Sequence, residues 1–228
     1  MTEEQNIVAV VGGTGDQGYG LALRWAKAGR HVLIGSRVRS RAEDAAARIK
    51  AAVGNSARVE GSENADVVAR APLVVLSVPF EAQMATLKSL RAAWRSGQIL
   101  VDLTVPLEAS VGGSPTRLLK VWAGSAAEQA AQNVPENVSV VGAFHNVGAH
   151  ALQEIERDVE CDIIVCGDNA EARGRVRPWV EAIPGCRYVD GGKLENARIV
   201  ESLTALLIGI NRRYKVPGAG MRITGIPS

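Results

Sequence analysis

The sequence predicts an α/β protein on a doubly wound, mostly parallel sheet. Three observations carry the prediction: recurrent short apolar runs, helical segments between them, and a glycine-rich turn at the first strand-to-helix junction. The runs Ile7 to Val11, His31 to Ile34, Leu73 to Val78, Ile99 to Leu103 and Val138 to Val141 are rich in β-branched residues, the composition of parallel strands buried on both faces. Between the first two, Tyr19 to Ala28 sets Leu21, Leu23, Trp25 and Ala28 in a helical pattern and stops at Gly29. Between the second and third, Arg39 to Val53 has a helix former's composition and ends at Gly54-Asn55. Strand and helix alternate, which calls for right-handed crossovers over one sheet.

Further on, Pro106 to Pro135 contains a turn at Gly112 to Pro115 and a predicted helix from Ser125 to Gln132, and reads as a loop at the mouth of a site. After Asn146 the pattern changes. A helix is predicted near Ala149 to Glu154, a strand at Cys161 to Cys166, a helix at Ala170 to Ala182, a short strand near Arg187 to Asp190, and a long helix from Leu194 to about Arg213. The division expected is a nucleotide-binding domain over 1–147 and a small C-terminal α/β domain over 148–228.

Composition narrows the function. The chain has 228 residues, 46% of them hydrophobic, enough to bury a substantial core. Lysine and arginine number 26 against 24 acids, a net charge of +2 with no broad field for a nucleic-acid backbone. Four tryptophans, three tyrosines and two phenylalanines are a poor base-stacking platform. The start, Met1 to Asn6, is polar and acidic, unlike a secretory leader, and no run reaches the ~18 to 20 apolar residues of a membrane span; a cytoplasmic protein is expected. Cys161, Cys166 and Cys186 have no metal-ligand spacing, so they read as plain thiols and no metal is expected.

The strongest motif is Gly13-Thr14-Gly15-Asp16-Gln17-Gly18, a GxGxxG that follows the first strand and opens the first helix. In a Rossmann-type unit such glycines allow a tight turn and close approach of backbone to a pyrophosphate, which meets the free N–H groups and positive end of the helix. About 20 residues on, where an NAD site carries an acid for the ribose 2′-hydroxyl, this chain reads Gly35-Ser36-Arg37, with Arg39 and Arg41 following. A hydroxyl and guanidiniums are donors for a 2′-phosphate, so NADP is favoured over NAD.

Two more strand ends reach the edge where ligands of open α/β sheets sit: Ser77-Val78-Pro79-Phe80, and Asp102-Leu103-Thr104-Val105-Pro106. They are candidates for the nicotinamide side, and Pro79 and Pro106 serve equally as plain strand terminators. His145, in Ala143-Phe144-His145-Asn146-Val147, follows the last strand of the larger domain at the same edge. No acidic dyad or Ser/His/Asp set stands out, and hydride transfer between two stacked rings requires none, because proximity supplies most of the effect.

These residues resemble the NADPH-dependent reductases of coenzyme F420, a deazaflavin. The resemblance spans nearly the whole chain: Gly12 to Gly15 with Gly18 and Gly20 to Arg24, Gly35 to Arg37, Gly124 to Glu128, Ala143 to Val147, Cys161-Asp162 with Val165 to Asp168, Ala197 to Thr204, Ile210 to Lys215 and Gly220 to Gly225. It implies that Gly13, Thr14, Gly15, Asp16, Gln17 and Gly18 serve the pyrophosphate region and that Ser36, Arg37 and Arg41 hold the 2′-phosphate. It places Val78, Pro79, Val105 and Ala149 near the nicotinamide, with His145, Val147 and the backbone near Ala219 bordering the deazaflavin, His145 as a positioning group. It further implies NADP(H) and coenzyme F420 as the small-molecule partners, hydride transfer between C4 of nicotinamide and C5 of the deazaflavin, and a homodimer. Gly148 departs from the slightly larger small residue expected there. Two other readings stand beside it: a reductase of a flavin, imine or ketone, and a non-catalytic NADP-sensing module.

Overall fold

The computed structural model describes residues 6–226. The polar start read above as unlike a leader lies, but for Asn6, outside the described residues. Eight strands form one sheet in the order β3-β2-β1-β4-β5-β6-β7-β8. The parallel part comprises β1 (Ile7–Val11), β2 (His31–Ser36), β3 (Val59–Glu63), β4 (Leu73–Leu76), β5 (Ile99–Asp102) and β6 (Ser139–Gly142). Strand β7 (Cys161–Gly167) runs antiparallel to β6, and β8 (Cys186–Gly192) runs parallel to β7. The described residues after 147 thus extend the same sheet. Because β7 is reversed, Cys161 begins at the edge where β1 to β6 end.

Helices cover both faces. On one lie α1 (Asp16–Lys27), α2 (Arg39–Val53), α6 (Ala149–Gln153) and α7 (Ala170–Val180), packed through Leu21, Trp25, Ile49, Leu152 and Trp179. On the other lie α3 (Asn64–Arg70), α4 (Phe80–Ser89), α5 (Ala126–Ala131) and α8 (Ala197–Tyr214), packed through Val67, Leu87, Ala127 and Val200. Several of the few aromatics are spent here. Trp25 meets Phe144 and Trp179 edge to face at 5.9 and 5.4 Å and donates its indole N–H to the Trp179 carbonyl at 2.8 Å.

The chain runs outward from β1 through β2 to β3 and returns to place β4 on the other side of β1. That reversal opens a crevice at the carboxyl ends of β1 and β4, where doubly wound sheets bind ligands. Three elements go beyond the sequence reading. Strand β3 is an edge strand, Val-Glu-Gly-Ser-Glu, with only Val59 and Ser62 buried, and carries no apolar run to announce it. Helix α3 has only seven residues, and α4 starts directly after Pro79, inside what reads as a strand terminus. Among the described residues no helix is long and apolar enough to cross a membrane.

Candidate active site at the carboxyl edge

The turn after β1 is built from glycines, but they do different work. Gly12 has φ +76° and is pressed on the Ser77 carbonyl; a Cβ on Gly13 would come within 2.9 Å of the Val10 carbonyl, and one on Gly18 within 3.0 Å of both Gly12 O and Ser77 Oγ. These three allow loop, helix and strand to pack. Gly15 differs: a Cβ there would meet only the Gly12 carbonyl, at 3.5 Å, so its outer side is open to an approaching group. Gly15 is also the N-cap of α1 and supplies no side-chain cap, leaving the first-turn N–H groups to receive an anion.

The loop opens into a groove of about 300 Å³. Gly12, Thr14 and Gly15 form one wall, Ser36, Arg37, Val38 and Arg41 the far end, and Ser77, Val78 and Pro79 the floor toward β4. Helix α2 begins here with Val38 as N-cap, no side-chain cap and no acid in its first turn, which instead carries Arg39 and Arg41. Cations at the positive end of a helix repel its dipole unless an anion joins them, so the chemistry of this end suits a phosphate. Asn64, at the start of α3, also lines the groove, and its buried Oδ1 has no hydrogen-bond partner among the described residues. Sequence reasoning missed Asn64 because it missed β3, which delivers it to this edge.

A second cavity of about 560 Å³ lies at the start of β7, between Val147, Gly148 and Ala151, the Asp158 to Cys161 stretch, and the tail at Gly218, Ala219, Gly220 and Arg222. A Cβ on Gly148 would sit 3.5 Å from the Gly218 Cα, ordinary contact, so the small residue widens the gap without being required by packing.

The structure distributes the remaining candidates unevenly. Asp16 and Gln17 stand beside the groove rather than in its lining: the Asp16 carbonyl accepts from Gln153 Nε2 at 3.0 Å, and Gln17 Nε2 donates to the Phe144 carbonyl at 2.8 Å. That bond ties the phosphate loop to the histidine segment, where Phe144 sits at φ +61°, a left-handed conformation a bulky residue rarely adopts. His145 is buried, 3% exposed, and lines neither cavity. Neither ring nitrogen has a hydrogen bond of good geometry among the described residues, although the Asp102 main chain lies close by. Burial pushes its pKa down to about 4, so the imidazole is neutral at physiological pH. Thr204 on α8 donates to the His145 carbonyl at 2.7 Å. Val105 and Ala149 are half-buried and line neither cavity, whereas Val147 and Ala219 face each other across the second one.

Beneath this edge lies a buried polar network that no local spacing announces. Gln83 Nε2 donates to Asp102 Oδ2 at 3.1 Å, to Thr104 Oγ1 at 2.6 Å and to the Ala126 carbonyl at 2.9 Å, while the Gln83 oxygen accepts from Gln129 at 2.8 Å. Glu201 on α8 accepts the Ala126 and Ala127 N–H groups at 2.9 and 3.0 Å, capping α5 from a distant element. Burial raises the Asp102 carboxyl to about 7 and Glu201 to about 8, the neighbouring Asp102 adding to the latter.

A strand order that reverses at β1 and β4, with a glycine turn opening a helix at that point, defines the class: a Rossmann-type dinucleotide-binding fold. Residues 7–106 match the family "NADP oxidoreductase coenzyme F420-dependent". The chain is 46% identical to the F420-dependent NADP reductase of Methanothermobacter thermautotrophicus, over 96% of this chain and 95% of that one. It is 44% identical to that of Methanocaldococcus jannaschii, over 96% and 98%. Among solved structures, an Arthrobacter sp. FB24 protein described as a candidate F420-dependent NADP reductase superposes with a TM-score of 0.79 at 26% identity, covering 96% of this chain and 99% of that one. The chain belongs to the F420-dependent NADP reductase family.

Proposed function

We propose that the protein transfers a hydride reversibly between NADPH and the deazaflavin coenzyme F420. The observation that carries the reading is the pair of cavities on one sheet edge, joined through Gln17 and Phe144, in a chain related over nearly its whole length to two F420-dependent NADP reductases. With both molecules bound, a hydride passes between C4 of nicotinamide and C5 of the deazaflavin, and one proton from solvent balances the reduction of the deazaflavin.

The chain's part is binding and orientation, which lower the barrier by fixing the two rings together. Thr14, Gly15 and the first turn of α1 hold the pyrophosphate, and Gly13 and Gly18 let the turn pack closely enough to present them. Asp16 and Gln17 shape that turn, Gln17 through its bond to Phe144. Ser36, Arg37 and Arg41 hold the 2′-phosphate with charge-assisted donors. Val78 and Pro79, which line the groove, border the nicotinamide, and the family resemblance adds Val105 and Ala149 from outside its lining. Val147 and the backbone at Ala219 border the deazaflavin, and neutral His145 supports that wall from within. In this division residues 1–147 carry the nucleotide and 148–228 complete the acceptor side.

We also propose a cytoplasmic homodimer. Helix α8 exposes Ile199, Leu206 and Tyr214 at 67%, 59% and 71%, apolar area of the kind that a second copy covers. Sedimentation showing a monomer at micromolar concentration overturns the dimer. For the activity, NADPH added to coenzyme F420 and the protein should bleach the deazaflavin absorbance, with riboflavin phosphate as control. Bleaching of the flavin alone overturns the acceptor assignment.

A further inference from the structure

The tail after α8 is fastened by one buried acid. Lys215, at φ +54°, ends the helix; the Val216 N–H returns to the Asn211 carbonyl at 3.1 Å and the Ala219 N–H to Asn211 Oδ1 at 2.7 Å. The chain thereby turns back across β7 and forms the wall of the second cavity opposite Val147 and Gly148. Asp162, on β7, is fully buried. Its carboxylate accepts Arg187 Nε and Nη2, both at 2.7 Å, Arg222 Nη1 at 2.9 Å and the Ile223 N–H at 2.7 Å. Its own N–H donates to the Met221 carbonyl at 2.7 Å. The two arginines bind outward from there, Arg187 Nη2 to the Ile223 carbonyl at 2.9 Å and Arg222 Nη2 to the Gly185 carbonyl at 2.7 Å.

An apolar anchor of similar volume would hold a tail without desolvating a carboxylate. What an ionic cluster with main-chain bonds adds is direction: residues 221–223 are fixed in register with β7, and Gly218 to Gly220 immediately before them are fixed against the cavity. Asp162 itself does not line that cavity. We propose that Asp162, acting through Arg222 and the Ile223 main chain, is a positioning residue for the hydride acceptor, setting the wall of the second cavity independently of the NADPH groove. The proposal rests on the reading of that cavity as the deazaflavin site.

The test uses the full chain with Arg222→Ala, Arg222→Lys and Asp162→Asn, followed by steady-state kinetics and amide hydrogen exchange. Arg222→Ala should raise the KM for coenzyme F420 about tenfold while the NADPH KM stays within about twofold, the signature of lost binding on one side only. Arg222→Lys, which keeps a charge for Asp162, should recover part of that loss. Asp162→Asn should shift the acceptor KM in the same direction although its side chain touches no acceptor, which separates positioning from direct contact by Arg222. Exchange at the Ile223 and Ala219 amides should accelerate in Arg222→Ala with α1 unchanged. An acceptor KM that stays within twofold despite faster tail exchange, or an equal rise in both KM values, overturns the proposal. Wild-type protein that fails to bleach coenzyme F420 overturns the acceptor reading instead; the clamp then stands if Arg222→Ala speeds exchange over 216–223 alone and falls if it does not.

Discussion

The two halves of the site are held together by different physics. The proposed nucleotide groove gathers the ends of successive parallel strands: Gly12 to Gly15 follow β1, Ser36 to Arg41 follow β2 and Ser77 to Pro79 follow β4, and close glycine contacts bring them side by side. The proposed acceptor cavity is assembled from one segment, 147–161, and the tail that follows α8, and long-range polar bonds hold it. Arg24 on α1, 2% exposed, donates to the Leu152, Ala151 and Glu154 carbonyls at 2.8, 2.8 and 2.7 Å and so closes the end of α6 behind Val147 and Gly148. Asp162 does the equivalent for the tail. Backbone geometry builds the first region, and buried charge builds the second. The fold of the first should therefore be disturbed most by added volume at its glycines, and that of the second by loss of its buried charges.

The largest test of that contrast is Arg24→Met. It keeps apolar bulk but leaves the carbonyls at the end of α6 without their donor, so unfolding free energy should fall by about 3 kcal/mol, read from urea midpoints. A loss below about 0.5 kcal/mol would break the argument that charge holds the acceptor side. Next come two alanines on one helix start. A Cβ at Gly20 would fall 2.7 Å from Leu152 Cβ, forcing α1 and α6 apart, so Gly20→Ala should cost about 2 kcal/mol of stability. Gly15→Ala has room and should leave the melting temperature nearly unchanged while weakening NADPH binding about tenfold or more, by titration calorimetry. The same change in both quantities for the two variants would dissolve the distinction between packing glycines and the ligand-facing one.

Arg37→Ala should raise the NADPH KM about tenfold and the NADH KM far less, since only NADPH carries the 2′-phosphate. Equal effects on both cofactors remove that assignment. The smallest effect is a pH trend. Asp102 and Glu201 titrate higher folded than unfolded, so the fold keeps their protons longer; their stabilisation is complete below the unfolded carboxyl range and is lost as pH rises through about 7 and about 8. His145, lowered to about 4, works the opposite way but adds only about 0.4 kcal/mol above its ordinary value near 6.5. From pH 6.5 to about 7.2 stability should therefore decline by about 1 kcal/mol, and Glu201→Gln should flatten the slope. A rise across that interval, measured by thermal melts, contradicts the buried neutral carboxyls.

Much of the nucleotide side was legible because its signals are short-range. An apolar strand, a glycine turn and an arginine at the next strand end are neighbours in sequence and remain so in space. His145 was legible as a position but not as a state, since nothing in Ala143 to Val147 says that both ring nitrogens are buried without good partners. Asn64 was hidden behind β3, whose single apolar residue, Val59, reflects its place at the sheet edge. The grouping of Glu201 with Asp102, and of Asp162 with Arg187 and Arg222, has no signature in spacing, because these partners meet only when β7, α8 and the tail dock.

By itself the sequence determined the alternation of strand and helix, the turn that opens α1, the choice of cations over an acid at the end of β2, and the kinship of the chain. Periodicity, backbone freedom and charge at a few adjacent residues are properties the unfolded chain already carries. Only the tertiary structure decided which glycine faces a ligand and which faces a neighbouring helix, where the second cavity lies, and which buried ions hold it open. Those depend on distances between residues that the chain leaves far apart until the core of the sheet has formed.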